Sequence, residues 1–458
     1  MRLPGPSRRD FLIGSALAGG SLASAAAAAS HPLPAIRARS PNSRLRIGVV
    51  GCGGKGLSDM QECAKTHDIV ALCDVDEGKA KQARSEQPKA AFYEDWRDLL
   101  DREKLDGLTV STPDHLHAGP ALAAMARGIH VFVQKPLTHT VEEARLLRDA
   151  ARKTKVITSM GNQGTCLEGF RSAAECVRGG VIGAVREVHV WTDRPIWPQG
   201  IERPKHTDAI PATFRWDLWL GPAAWRPYAA ARKDKEGKLV GGFSGYAPFH
   251  WRGFWDFGTG ALGDMACHVA NLPFFALELD APTVVEAKAD GVYAETAPKR
   301  STITFQFPAR GARGPVTMFW YDGGDLPPAT LLPGVKLRSG GFLLVGDKGI
   351  LYSPTDYGER FDIYRDGQIV QVEMPTPSLP RSPGIHQEWL DGILANRQPM
   401  ANFEYAAPFT EAMLLGNLAL RTGERIEWDA AAMRVKNSAT AQALLTKSYR
   451  RGFELTKV

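Results

Sequence analysis

The run Arg46-Ile-Gly-Val-Val-Gly51-Cys-Gly53-Gly54-Lys-Gly56 constrains the fold of this chain more than any other stretch. An apolar strand passes directly into G-x-G-x-x-G, the loop that leads a strand into a helix around a diphosphate. Gly51 permits the tight turn, Gly53 lets bare backbone approach the anion, and Gly56 lets the helix pack close on its strand, with Gly54 beside them in the loop. The helix N-terminus aims its free amides at the charge. A second apolar run, Ile69-Val-Ala-Leu-Cys-Asp74, ends in a carboxylate at the distance from the loop that suits a hydrogen bond to the adenosine ribose. Asp74 predicts NAD over NADP, because a 2′-phosphate would meet its negative charge. A glycine-rich turn that binds nothing is the plain alternative.

Near the start, Ser7-Arg8-Arg9-Asp10-Phe11-Leu12 precedes a weakly apolar run rich in Ala, Gly and Ser that continues to Ser30. Residues 1–30 read as a twin-arginine export signal, which predicts passage through the twin-arginine translocation machinery to the periplasm or another place outside the cytoplasm. Residues 11–29 are almost long enough to span a bilayer, yet their small side chains make insertion weak. A retained anchor is the alternative to a cleaved signal. Residues 31–43, with their prolines and arginines, read as a linker.

A chain of 458 residues is too long for one small core and suits two domains. The first 46 residues hold seven arginines and one aspartate, which accounts for the whole formal net charge of +6. The remainder is formally neutral, which argues against nucleic acid as a partner. The six cysteines, Cys52, Cys63, Cys73, Cys166, Cys176 and Cys267, form no C-x-x-C pair and no metal-ligand spacing. They read as buried thiols, as suits a protein that folds in a reducing compartment before export.

The fold class is α/β. From residue 44 to about 163, short β-rich runs alternate with helical stretches, the pattern of a doubly wound Rossmann domain. Beyond the first two strands the reading gives a helix at 77–86, strands at 107–110 and 130–133, helices at 118–127 and 141–153, and a strand at 156–160. From 164 to 458 strand-like segments dominate, at 185–191, 284–289, 301–307 and 316–320, with helical character returning over 386–423. This predicts an α+β domain built on a largely antiparallel open sheet, which binds substrate and pairs with a second copy.

Three loops follow successive strands of the first domain, where doubly wound sheets bind ligands. They are Ser111-Thr112-Pro113-Asp114-His115-Leu116-His117, Gln134-Lys135-Pro136-Leu137 and Gly161-Asn162-Gln163-Gly164. Thr112, Pro113, His117, Gln134, Lys135, Asn162 and Gln163 therefore join Gly51, Gly53, Gly54, Gly56 and Asp74 as candidate cofactor-binding residues. His115 and His117 could form part of a metal site, but H-x-H without a third ligand at suitable spacing does not support one. No metal is predicted.

The glycine loop, the T-P-x-x-x-H loop and the Lys135-Pro136 turn together resemble the Gfo/Idh/MocA family of oxidoreductases. The resemblance continues at Gly260-Ala-Leu-Gly-Asp264-Met-Ala-Cys-His268, where an Asp and a His four residues apart share one helical face. By this resemblance Lys135, Asp264 and His268 form the catalytic set. His268 takes the proton of a sugar hydroxyl, Lys135 steadies the oxyanion, and Asp264 orients substrate or tunes the base. The family motif usually reads Glu-Lys-Pro, and Gln134 stands here instead. Losing a carboxylate beside Lys135 removes an attraction that holds its proton.

Seven tryptophans, Trp191, Trp197, Trp216, Trp219, Trp225, Trp251 and Trp255, crowd one stretch of the second domain among Arg194, Asp217, Arg226, Tyr228, His250 and Arg252. Flat apolar faces flanked by polar groups suit sugar rings; the same residues also suit a core or a dimer interface. Export favours a tightly held cofactor, since free NAD is not replenished outside the cytoplasm. The expected function is an exported NAD(P)-dependent oxidoreductase acting on a sugar, polyol or glycoside. The alternatives are a redox-neutral glycoside hydrolase, lyase or epimerase, and a non-catalytic sugar-binding protein with structural nucleotide.

Overall fold

The computed structural model describes residues 43–243 and 245–458; the twin-arginine segment and all but the last residue of the linker lie outside them. The first layer alternates strand and helix: β1 (Arg46–Val50), α1 (Lys55–Ala64), β2 (Asp68–Cys73), α2 (Glu77–Glu86), β3 (Ala91–Tyr93), α3 (Trp96–Arg102), β4 (Gly107–Val110), α4 (Ala118–Ala126), β5 (His130–Val133), α5 (Val141–Thr154) and β6 (Thr158–Met160). Its six strands are parallel, in the order β3-β2-β1-β4-β5-β6. Strand order reverses between β1 and β4, and a crevice opens at their carboxyl ends. β1, β4 and β5 are apolar runs buried almost throughout, as strands covered on both faces must be. β3 and α3 carry no such signal in sequence, since each residue of β3 is only half-buried.

After α6 (Glu168–Arg178) come β7 (Val185–Trp191), the short α7 (Trp216–Leu220), α8 (Gly260–Val269) and α9 (Asn271–Ala276). Seven strands follow: β8 (Val284–Ala289), β9 (Ser301–Phe307), β10 (Val316–Tyr321), β11 (Gly341–Gly346), β12 (Gly349–Ser353), β13 (Asp362–Arg365) and β14 (Gln368–Val370). Then come α10 (Ile385–Ala395), α11 (Phe403–Thr422), β15 (Ile426–Asp429), β16 (Arg434–Val435) and α12 (Ala439–Ala443). The second sheet has ten strands, ordered β14-β13-β12-β11-β7-β10-β9-β8-β15-β16. All its pairs are antiparallel except β7 with β10. β9 and β10 bury alternate residues, so one face is apolar. The long α11 packs on β8, α8 and α5 and thereby joins the two sheets.

One helix departs from the sequence reading. α10 follows eight of the ten strands of the second sheet, yet Ile385, Trp389, Leu390 and Ile393 pack with Ile47, Val49, Phe132 and Ile157 of the first. The Trp389 indole donates to the Ile157 carbonyl at 3.4 Å. Gly107 makes room for it, because a Cβ there would lie 2.8 Å from the indole. All six cysteines are unpaired; five are buried and Cys166 is half-buried.

Candidate functional site

The glycine loop is shaped by contacts that exclude larger residues. Gly51 has φ 78°, and a Cβ on it would lie 2.7 Å from the Ser111 carbonyl oxygen. A Cβ on Gly56 would lie 1.6 Å from the Gly51 carbonyl oxygen, so α1 can leave the loop at this angle only from glycine. Gly53 sits 2.9 Å, by the same measure, from the Lys79 side chain. Gly54, at φ 54°, caps α1 and has nothing within 4 Å of where its Cβ would be. Open backbone at a helix N-terminus is what a diphosphate requires. Asp74, at the end of β2, accepts from the Cys52 and Gly53 amides at 3.0 and 3.1 Å and from the Asp76 amide at 3.0 Å. Burial pushes its carboxyl up to about 6, against the pull of those amides.

The loop opens on a cleft of about 500 Å³. Of the predicted cofactor residues, Gly51, Gly53, Gly54, Asp74, Thr112, Pro113, Gln134 and Lys135 line it. Gly56 does not, since its work is packing. His117 does not either: its ring is buried between the Thr112 and Pro136 carbonyls, at 2.9 Å from each, and ties two strand-end loops together. Asn162 and Gln163 also lie off the cleft wall. Both ring nitrogens of His115 face backbone carbonyls, of Phe257 and Trp219. Among the described residues no group of three or more His, Cys, Asp or Glu is arranged to hold a metal ion.

Of the predicted catalytic residues, Lys135 and Asp264 are bonded to each other. Lys135 donates to its carboxylate at 2.9 Å and to its main-chain carbonyl at 3.0 Å, and the Arg252 Nε donates to the same carboxylate oxygen at 3.1 Å. Burial opposes ionisation of Asp264, but the two cations outweigh it and hold the carboxyl down at about 2. Asp264 thus supplies Lys135 with the negative neighbour that Gln134 does not. Two cations thus meet on one carboxylate. His268 stands one turn further along α8, 5% exposed, with its ring 4.7 Å from that of Tyr357. Burial, and next to it the charge of Lys135, hold the imidazole down at about 3. Neither Asp264 nor His268 lines the cleft itself; Lys135 connects Asp264 to it.

Four buried polar atoms of the predicted residues have no hydrogen-bond partner: Thr112 Oγ1, both amide atoms of Asn162, and His268 Nδ1. Such atoms are uncommon in folded proteins, and a bound ligand or water is one way to satisfy them.

Several residues of the site escape a reading of the sequence. Asp114, at the cleft, accepts from the Thr259 amide and hydroxyl at 3.1 and 2.7 Å, and burial pushes its carboxyl up to about 7. Asp59 of α1 is fully buried and collects Lys55, Ser111, Gln134 and His386 at 2.6–2.9 Å. Only folding brings these four segments together. The tryptophan cluster is mostly core: six of the seven are at most 6% exposed, and only Trp219 and Trp251 reach the cleft. Arg252, read in sequence as part of that cluster, lies 4.3 Å from the Phe249 ring and 4.4 Å from that of Trp251.

Two family models match the chain: an oxidoreductase family, NAD-binding Rossmann fold, over residues 45–162, and the C-terminal alpha/beta domain of the same family over residues 191–312. A glycosyl hydrolase family 109 protein of Solibacter usitatus is 33% identical over 162 residues, covering 32% of this chain and 37% of its own. An alpha-N-acetylgalactosaminidase of Shewanella oneidensis is 32% identical over 122 residues, covering 24% of this chain and 27% of its own. The chain thus spans about a third of the length of the curated relatives it matches. The fold is shared with the WlbA dehydrogenase of Bordetella pertussis, solved with NADH and UDP-GlcNAcA, at TM-score 0.58 and 17% identity over 84% of this chain and 99% of that one. It is shared too with the aldose-aldose oxidoreductase of Caulobacter crescentus, solved with glycerol, at TM-score 0.55 and 16% identity over 84% and 100%. Matched in both halves and in the right order, with a glycine cradle open to a dinucleotide, this chain belongs to the Gfo/Idh/MocA family of NAD-binding oxidoreductases.

Proposed function

We propose that this chain oxidises a hydroxyl-bearing carbon of a sugar or glycoside, with Lys135 on the wall of the cleft and Asp264 and His268 next to it on α8. The observation that carries the reading is the convergence of Lys135 and Arg252 on Asp264 beside His268. The glycine loop and Asp74 hold the cofactor, and when bound NAD supplies the acceptor for the hydride that leaves the carbon. His268 takes the hydroxyl proton. It is neutral throughout the working range and so is free to accept one. The same burial makes it a weak base, and the charge of Lys135 makes it weaker. That charge is what a developing alkoxide neutralises, so deprotonation and oxyanion stabilisation reinforce each other. Asp264 keeps Lys135 in place and offsets the second cation.

A redox-neutral outcome, in which the oxidised sugar is reduced again after a glycosidic bond breaks, is favoured by the named glycosidases among the relatives. The two outcomes separate in one assay of the NAD-loaded protein with free sugars and p-nitrophenyl glycosides. Net oxidation accumulates NADH absorbance with a free sugar; the redox-neutral route releases p-nitrophenol with no lasting NADH. Protein that binds NAD and does neither across the panel would refute the enzymatic reading and leave the nucleotide a structural role.

Export of the folded, cofactor-bearing protein is part of the same proposal and rests on Arg8 and Arg9. Changing both to lysine is expected to hold the protein in the cytoplasm with its NAD content unchanged. An unaltered periplasmic fraction on immunoblotting would remove the export signal from the account.

A further inference from the structure

We propose that residues 447–453 form a strap that closes the adenosine end of the cofactor cleft, with the Phe453 ring lying against the base of bound NAD. The proposal rests on the assignment of the cleft to NAD. The glycine loop and Asp74 fix the direction of a dinucleotide along it: diphosphate on the loop, adenosine ribose at Asp74, reacting ring toward Lys135. The adenine end therefore lies beyond Asp74, away from Lys135. That end is lined by Asp95 and Trp96 at the start of α3, by Leu218 of α7, and by Phe453 from the segment after α12.

The strap is pinned along its length. Lys447 and Tyr449 bond Glu143 at 2.7 and 2.8 Å, the residue that closes the capping box of α5. Arg450 donates from its main chain to the Pro222 carbonyl at 3.1 Å and from its Nε to the Gly221 carbonyl at 2.9 Å, and pairs with Asp217. Arg97 reaches across to the Gly452 carbonyl at 2.7 Å. The Phe453 ring has the Arg97 and Arg450 guanidiniums at 4.7 and 4.6 Å.

Two features suit this end to a neutral, flat heterocycle rather than an anion. Both guanidiniums already hold a carboxylate, Asp95 for Arg97 and Asp217 for Arg450. Trp96 and Phe453 add ring surface to this lining, beside Leu218 and Asp95, and on a ring a base stacks irrespective of its hydrogen-bonding edge. Phe453 is only half-buried, and its position is set by these polar anchors rather than by core packing. The bonds to Glu143, Gly221, Asp217 and Arg97 must break before the strap can lift, so the strap sets the rate of release.

The test compares wild type, Phe453→Ala and Phe453→Trp, each purified without added nucleotide. Bound NAD is quantified after denaturation, and its dissociation is followed by displacement with excess labelled NAD. Phe453→Ala is expected to release NAD between about fivefold and about a hundredfold faster, the range for a truncated base–aromatic stack, whereas Phe453→Trp stays within about twofold of wild type. Arg97→Ala, which unpins the strap and leaves the ring, is expected to move in the same direction by less. Thermal melts of the nucleotide-free proteins are expected to coincide, which separates loss of a contact with NAD from loss of folding. Phe453→Ala that is folded and releases NAD at the wild-type rate would overturn the strap. Wild type that neither retains nor binds NAD would instead overturn the cofactor reading beneath it.

Discussion

Lys135→Ala is expected to lower turnover about a hundredfold or more while NAD still binds, the size of effect seen when a preorganised oxyanion donor is lost. Lys135 is the one residue of the proposed catalytic set that lines the cleft itself, and it connects Asp264 to it. Its loss also leaves Asp264 with Arg252 as its remaining cationic bond, so the carboxylate gains freedom to turn away. Lys135→Arg keeps the charge and changes the geometry; it is expected to recover little, because a planar fork does not place one donor where an ammonium does. Steady-state rates with the best substrate of the panel, alongside NAD affinity by titration, check both variants. Near-normal turnover in Lys135→Ala would place the chemistry elsewhere in the cleft.

The second large effect falls on stability. Asp59 has no exposed surface and accepts from Lys55, Ser111, Gln134 and His386. Asp59→Ala leaves four donors around an empty acceptor and is expected to cost about 3–5 kcal/mol, the range for breaking a buried charge pair from one side. Burial by itself raises the carboxyl, but the His386 hydrogen bond and the Lys55 charge overcome it, and the net position is below the ordinary aspartate value. The linkage sign follows. The contribution is fully present above the unfolded aspartate value near 4 and is lost as pH falls below it toward the folded value. Denaturant midpoints measured from pH 7 to pH 3 are therefore expected to fall less steeply in Asp59→Asn than in wild type. Parallel slopes would show that folding leaves the pKa of Asp59 unshifted.

What could be read from sequence was what local pattern encodes. The strands β1, β2, β4 and β5 are apolar runs bounded by glycine or polar loops, and β9 and β10 show the period of two of a half-buried sheet. The glycine loop announces its backbone demands directly, because the residue type and the steric requirement are the same fact. β3 and α3 were missed because a short strand of half-buried residues has no hydrophobic signature. Asp114 and Asp59 were missed for another reason. Each sits in a loop or helix where an aspartate is ordinary, and its importance comes from donors that other segments supply. The tryptophans, whose crowding in sequence suits a sugar site and a core alike, are spent mostly on the interior. Phe453 follows no periodic segment, so nothing near it in sequence connects it with the glycine loop.

The placement of α10 bears on how the molecule comes to exist. A nascent chain that has emerged only through β6 holds every strand of its parallel sheet, yet one face still lacks Trp389 and its neighbours, more than 200 residues later in synthesis. Contact over that separation is long-range, so the nucleotide-binding half, though made first, is not complete until α10 has been made. Until then that apolar face is uncovered, the kind of surface that makes an incomplete chain prone to associate. The nucleotide-binding half thereby depends on residues far from it in sequence for its own cover.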